Sequence, residues 1–161
     1  MSARLFLIFT FLISPLAAAQ EYPAMGPDVY DTKADGNVQV AEALQDATAH
    51  RKNVMLVFGA NWCIWCRRLD QAFTTVPEVV KALRSDFVVV NIDVNTRKGS
   101  KRNADVDARY GNPIANGVPM IVVLDAKGKQ LTTLSTDELE EDAGHSPKKI
   151  LAFLAKWMPA K

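Results

Sequence analysis

Two cysteines three residues apart, in Asn61-Trp62-Cys63-Ile64-Trp65-Cys66-Arg67, constrain this chain more than any other feature, because they are its only cysteines and sit where an apolar run stops. Before them, Val54-Met55-Leu56-Val57-Phe58 is a β-branched and aromatic run of strand length; after them, Cys66, Leu69 and Phe73 recur at helical spacing. The cysteines therefore straddle a strand-to-helix turn. On a helix, residues three apart share a face, so the sulfurs can close a small disulfide ring without moving the backbone. Cys63 falls in the first turn, where unpaired N–H groups and the positive end of the helix dipole favour a thiolate. Cys66 lies deeper and reads as the resolving thiol. A zinc site wants four ligands, and the only histidines, His50 and His145, lack ligand-like spacing to the pair. Redox chemistry is the leading reading, ahead of metal binding and an inert structural disulfide.

Trp62-Cys63-x-x-Cys66 after a β-branched strand resembles the active-site pattern of the thioredoxin superfamily. Asn91-Ile92-Asp93, Arg109-Tyr110-Gly111, Gly117-Val118-Pro119 and Asp125-Ala126-Lys127-Gly128-Lys129 follow in the family's order, and the resemblance covers about Val38 to Trp157. Within the superfamily the chain looks most like the domains related to the C-terminal domain of the bacterial membrane reductase DsbD. The resemblance implies an α/β thioredoxin-like fold, a central mixed sheet with helices on both faces. It also implies a thiol-disulfide oxidoreductase that needs no cofactor and no metal. Its partners would be proteins with disulfides and a membrane thiol electron donor, and the chain is expected to be a monomer.

By the same resemblance, Pro119 should follow a cis peptide bond and face the cysteines, leaving the Val118 N–H and C=O as a docking edge for an extended substrate peptide. An ordinary trans edge proline is the alternative. Trp62 and Trp65 would form an aromatic rim for the substrate, although Trp65 could equally pack against the domain. The chain also departs from thioredoxin, whose buried aspartate, six residues before the first cysteine, is here Val57, and whose buried lysine partner is Val89. Both changes remove charge from the interior, so the proton from Cys66 needs another path, through water or Asp70. Asp70, four residues after Cys66, matches an acidic position of the DsbD-like domains; an aspartate on an exposed helix surface is equally consistent. A copper metallochaperone using two thiolates and one histidine, or an oxidant that introduces disulfides, are the competing functions.

Residues 1–19 read as a secretory signal peptide: Arg4 gives a positive start, Leu5 to Leu16 an apolar core, and Ala17-Ala18-Ala19 a small-x-small cleavage site before Gln20. The apolar stretch is shorter than the roughly 20 residues that span a bilayer. Export places the dithiol in an oxidising compartment, most simply a bacterial periplasm. Of 19 basic and 18 acidic side chains, removing Arg4 leaves 18 of each, so nothing electrostatic favours nucleic acid or an anionic membrane.

The chain divides into this leader, an extended lead-in over 20–37 and one domain over 38–161. The lead-in, with Pro23, Gly26, Pro27 and Gly36, favours turns, with room for a strand at its end. A helix is expected from Val38 to about His50, capped by Asp35 or Asn37, and another from Ile64 to about Phe73. Thr75-Val76-Pro77-Glu78 reads as a capping box opening a helix to Arg84. Phe87 to Ile92 reads as a strand buried on both faces. Residues 95–105, with Arg97, Lys98, Lys101 and Arg102, read as a solvated loop, with contact to a partner as the alternative. A short helix over Ala104 to Tyr110 and a strand from Val118 to Leu124 follow. A hairpin turn at Asp125 to Lys129 then leads into an edge strand, Gln130 to Leu134. The acidic stretch Asp137 to Asp142 reads as a surface helix or loop with His145 exposed nearby. Ser146-Pro147 caps a terminal helix whose buried stripe is Ile150, Leu151, Phe153, Leu154 and Trp157.

Overall fold

The computed structural model describes residues 26–97 and 101–160; the expected leader and the start of the lead-in lie outside them. The β-branched run ahead of the cysteines is strand β1 (Asn53–Gly59), buried at all seven positions because it lies inside a four-stranded sheet. It pairs in parallel with β2 (Phe87–Asp93) and antiparallel with β3 (Met120–Leu124), which pairs antiparallel with β4 (Gln130–Ser135). The sheet is thus mixed, in the order β2-β1-β3-β4. The Asp125–Lys129 turn joins β3 to β4, with Asp125 Oδ1 accepting from the Lys127 and Lys129 N–H groups and Gly128 at φ +84°.

Alternate side chains of a strand point to opposite faces, so β1 and β3 each feed two cores. On one face Met55, Val57, Ile121 and Val123 pack against α2 (Ile64–Thr75), α3 (Pro77–Asp86) and α5 (Pro147–Trp157). On the other, Val54, Leu56, Phe58 and Val122 meet α1 (Gly36–His50) and Val106 of α4 (Ala104–Arg109). The sheet is therefore covered on both faces by helices. In α5, Ile150 and Leu154 are fully buried while Leu151, Phe153 and Trp157 flank them, which is the predicted stripe.

Several local expectations fail for identifiable reasons. β2 is an edge strand, with Val89 38% exposed, so its apolar run is not buried on both faces and Val89 is not an interior substitution. No strand precedes α1 among the described residues. Asp35 caps α1 through the Asn37 N–H, and the helix starts two residues early, at Gly36. The capping box does not form: Thr75 belongs to α2 and donates to the Gln71 carbonyl, leaving Val76 to cap α3 with Pro77 in its first turn. Ser146 likewise caps α5 without a side-chain bond.

The described residues of the 95–105 loop, which leave out 98–100, are not simply solvated. Arg102 pairs with the buried Asp93 at 2.9 Å, Lys101 pairs with the buried Asp107 at 2.7 Å, and Arg97 lies over Trp62. Asn103 ties the loop down, accepting from the Gly36 N–H and donating to the Asp93 carbonyl. The acidic stretch forms a 3-10 turn, Thr136–Leu139, and a small hairpin of β5 (Glu140–Glu141) and β6 (Gly144–His145) packed on α2. That packing buries His145 instead of exposing it.

Candidate active site

Cys63 is the N-cap of α2. Its Sγ accepts from the Cys66 N–H at 3.1 Å, so the sulfur sits over the unpaired amides of the first turn. The two cysteines are joined as a disulfide, with Cα atoms 5.2 Å apart. Cys63 is 6% exposed and Cys66 1%, which leaves Cys63 as the sulfur nearer to solvent. The Val118–Pro119 peptide bond is cis, and the Val118 carbonyl oxygen lies 3.6 Å from Cys63 Sγ. Buried Thr136 donates to the Pro119 carbonyl and fixes this loop, a contact with no signal in the sequence.

A 350 Å³ groove beside the sulfur is lined by Trp62, Cys63, Trp65, Arg97, Ile114 and Val118. Trp62 donates to Asn95 at 3.2 Å and carries Arg97 4.1 Å above its ring. Trp65 is half-buried, held edge-to-face against His145 with centroids 5.7 Å apart and covered by Arg68 at 4.6 Å. Ile64, between the cysteines, is 47% exposed. The groove thus presents an apolar floor and a cationic edge next to Cys63.

The lead-in is part of this site, which the turn-rich composition of the segment did not suggest. Asn61 Oδ1 accepts from the Val29 and Tyr30 N–H groups, both at 2.9 Å, and its Nδ2 donates to the Tyr30 carbonyl. Arg67 donates to the Asn61 and Pro27 carbonyls and is only 13% exposed. Tyr30 is consequently buried against both cysteines. Replacing Asn61 by alanine removes three hydrogen bonds and leaves the part-buried Val29 and Tyr30 amides without this acceptor. It should cost about 2–3 kcal/mol and lower the melting temperature by roughly 5–10 °C. Thermal unfolding followed by circular dichroism checks this, and an unchanged midpoint would rule out the anchoring role.

Asp70 lines a 390 Å³ groove with Phe73, Thr74, Leu83, Phe87 and Val89, and burial raises its carboxyl above the ordinary range despite Arg67 nearby. Val57 is buried in the core beneath α2, so no charge occupies that position. His50 sits exposed in the last turn of α1, paired with Asp46. Burial and Arg68 lower the His145 pKa. Among the described residues no group of three His, Cys, Asp or Glu side chains is placed to hold a metal ion.

Residues 36–126 match a family model described as thioredoxin-like. The chain is 28% identical over 134 residues to the disulfide bond reductase DsbH of Chlamydia pneumoniae, covering 76% of this chain and 78% of that protein. It is 35% identical over 92 residues to the thiol:disulfide interchange protein DsbD of Ralstonia nicotianae, which is 57% of this chain but only 14% of DsbD. Among solved structures, a disulphide isomerase from Xylella fastidiosa Temecula1 superposes with a TM-score of 0.70 at 37% identity, covering 80% of this chain and 95% of that one. The oxidised C-terminal domain of DsbD from Neisseria meningitidis superposes with a TM-score of 0.55 at 25% identity, over 77% and 97% of the two chains.

Proposed function

The chain belongs to the thioredoxin-like family as a thiol-disulfide oxidoreductase, and from that premise we propose that it is an exported reductase or exchange protein of the periplasm. Residues 1–19 are the leader removed on export, and the remainder works as a monomeric domain. The observation that carries the reading is the placement of Cys63 Sγ, capping α2 and 3.6 Å from the carbonyl of the cis Val118–Pro119 bond.

A substrate peptide lies extended along Val118, with Trp62 and Trp65 forming the rim. The Cys63 thiolate attacks one sulfur of the substrate disulfide, forming a mixed disulfide and releasing the other substrate sulfur as a thiolate. Cys66 then attacks Cys63 Sγ, freeing the second substrate sulfur and leaving the pair oxidised. The proton from Cys66 leaves toward Asp70, whose raised pKa suits an acceptor better than an ordinary surface carboxylate would. A membrane thiol donor returns two electrons to the pair.

Direction follows from how strongly the thiolate is held. Proteins with this site range from about −270 to about −120 mV, a spread of roughly 7 kcal/mol in the preference for disulfide over dithiol. An oxidant must stabilise its thiolate strongly. Here Ile64 and Trp65 carry no charge, Arg67 is engaged by the Asn61 and Pro27 carbonyls, and Arg68 covers Trp65, leaving mainly the helix terminus. Equilibration with glutathione buffers should therefore give a potential well below about −150 mV. A less negative value would place the protein among the oxidants.

A further inference from the structure

Tyr30 is 1% exposed and clusters with Cys63 and Cys66, although it comes from a segment more than thirty residues earlier. Its ring reaches the sulfurs because Gly59 has no side chain. The position that a Cβ would occupy on Gly59 is 2.2 Å from Tyr30 Oη and 2.8 Å from Cys66 Sγ, so those two atoms lie within about 5 Å of each other. The Tyr30 backbone cannot drift, since Asn61 holds both its N–H and its carbonyl. Burial, and after it the charges of Asp70 from α2 and Asp93 from β2, keep the phenol protonated far beyond neutral pH. Arg67 of α2 donates to the Pro27 carbonyl. A thiolate formed on buried Cys66 thus lies in an apolar cluster, with the Tyr30 O–H as a neutral donor beside it.

We propose that the Tyr30 hydroxyl donates a hydrogen bond to Cys66 Sγ as the disulfide opens, stabilising the departing thiolate. When a donor dithiol reduces the pair, a donor thiolate attacks Cys63 Sγ and forms a new S–S bond there. The Cys63–Cys66 bond breaks and its electron pair leaves on Cys66 Sγ, facing the hydroxyl. The donor's second thiolate then displaces Cys63, the donor departs as a disulfide, and the protons its thiols gave up return to the pair, to Cys66 by way of Asp70. Tyr30 keeps its own proton throughout. The lead-in is therefore a working part of the redox site.

This inference rests on Cys63 and Cys66 being the redox pair, and dithiothreitol reduction tests the two separately. A wild-type disulfide that dithiothreitol does not open would defeat the redox reading. With an exchanging wild type, Tyr30→Phe should slow reduction about tenfold, the usual effect of losing a hydrogen bond to a charged group. In the Cys63→Ala variant, Tyr30→Phe should raise the Cys66 pKa by about one unit, which is the same tenfold, read from the Cys66 Cβ chemical shift. Tyr30→Leu separates packing from hydrogen bonding: slowing by leucine alone, with phenylalanine at the wild-type rate, would overturn the proposal. Biosynthetic 3-fluorotyrosine keeps the ring and strengthens the donor, so it should speed reduction and lower the Cys66 pKa. Should Tyr30→Phe fail to fold, wild-type values for the fluorinated protein would be the overturning result.

Discussion

Cys66→Ser should arrest exchange at a mixed disulfide held by Cys63, with turnover reduced by roughly 10³-fold or more, while Cys63→Ser should trap nothing. The asymmetry comes from position. Cys63 Sγ caps α2 and borders the groove, so its thiolate is favoured by the helix terminus and can meet a substrate sulfur. Cys66 lies one turn deeper and is almost wholly buried, able to reach only the sulfur of Cys63. Without Cys66 the intermediate has no internal nucleophile to resolve it. Incubating each variant with a disulfide-bonded protein and resolving adducts by non-reducing electrophoresis and mass spectrometry checks this. Equal trapping by both variants, or by neither, would reverse or remove the assigned roles.

The strand-turn-helix around the cysteines was legible because its signals are local: a β-branched run, a helix-period repeat and two thiols at one-turn spacing. The hairpin at Asp125–Lys129 was legible for the same reason, its turn being closed by its own aspartate. What escaped were contacts made across the chain. Asn61 reaches back more than thirty residues to Val29 and Tyr30, and a segment rich in turn residues gives no periodicity that would announce a buried tyrosine. The polar neighbours of His145 predict exposure, but the β5–β6 hairpin folds it against Trp65. The basic loop looked solvated because the carboxylates it neutralises, Asp93 and Asp107, belong to other elements. β2 shows the converse error: an unbroken apolar run suggested two buried faces, whereas sheet order, which the sequence does not encode locally, placed it at an edge.

Gly59→Ala should be among the most damaging single-methyl additions this fold can receive, costing about 3 kcal/mol and lowering the melting temperature by roughly 10 °C. The added Cβ would fall 2.2 Å from Tyr30 Oη, 2.6 Å from Tyr30 Cζ and 2.8 Å from Cys66 Sγ, separations that real Cβ atoms do not tolerate. None of these neighbours yields easily. Tyr30 is held by Asn61, Cys66 is inside α2, and Gly59 itself ends a strand paired on one side with Asp93. The clash also predicts a coupling. In a Tyr30→Ala background two of the three contacts vanish, so the same methyl should cost much less, leaving the pair non-additive by about 1–2 kcal/mol. Urea unfolding of the two single variants and the double variant measures that coupling directly. Strict additivity, or a harmless Gly59→Ala, would mean that Tyr30 does not occupy the space over Gly59, and the contact between the lead-in and the buried sulfur would fall with it.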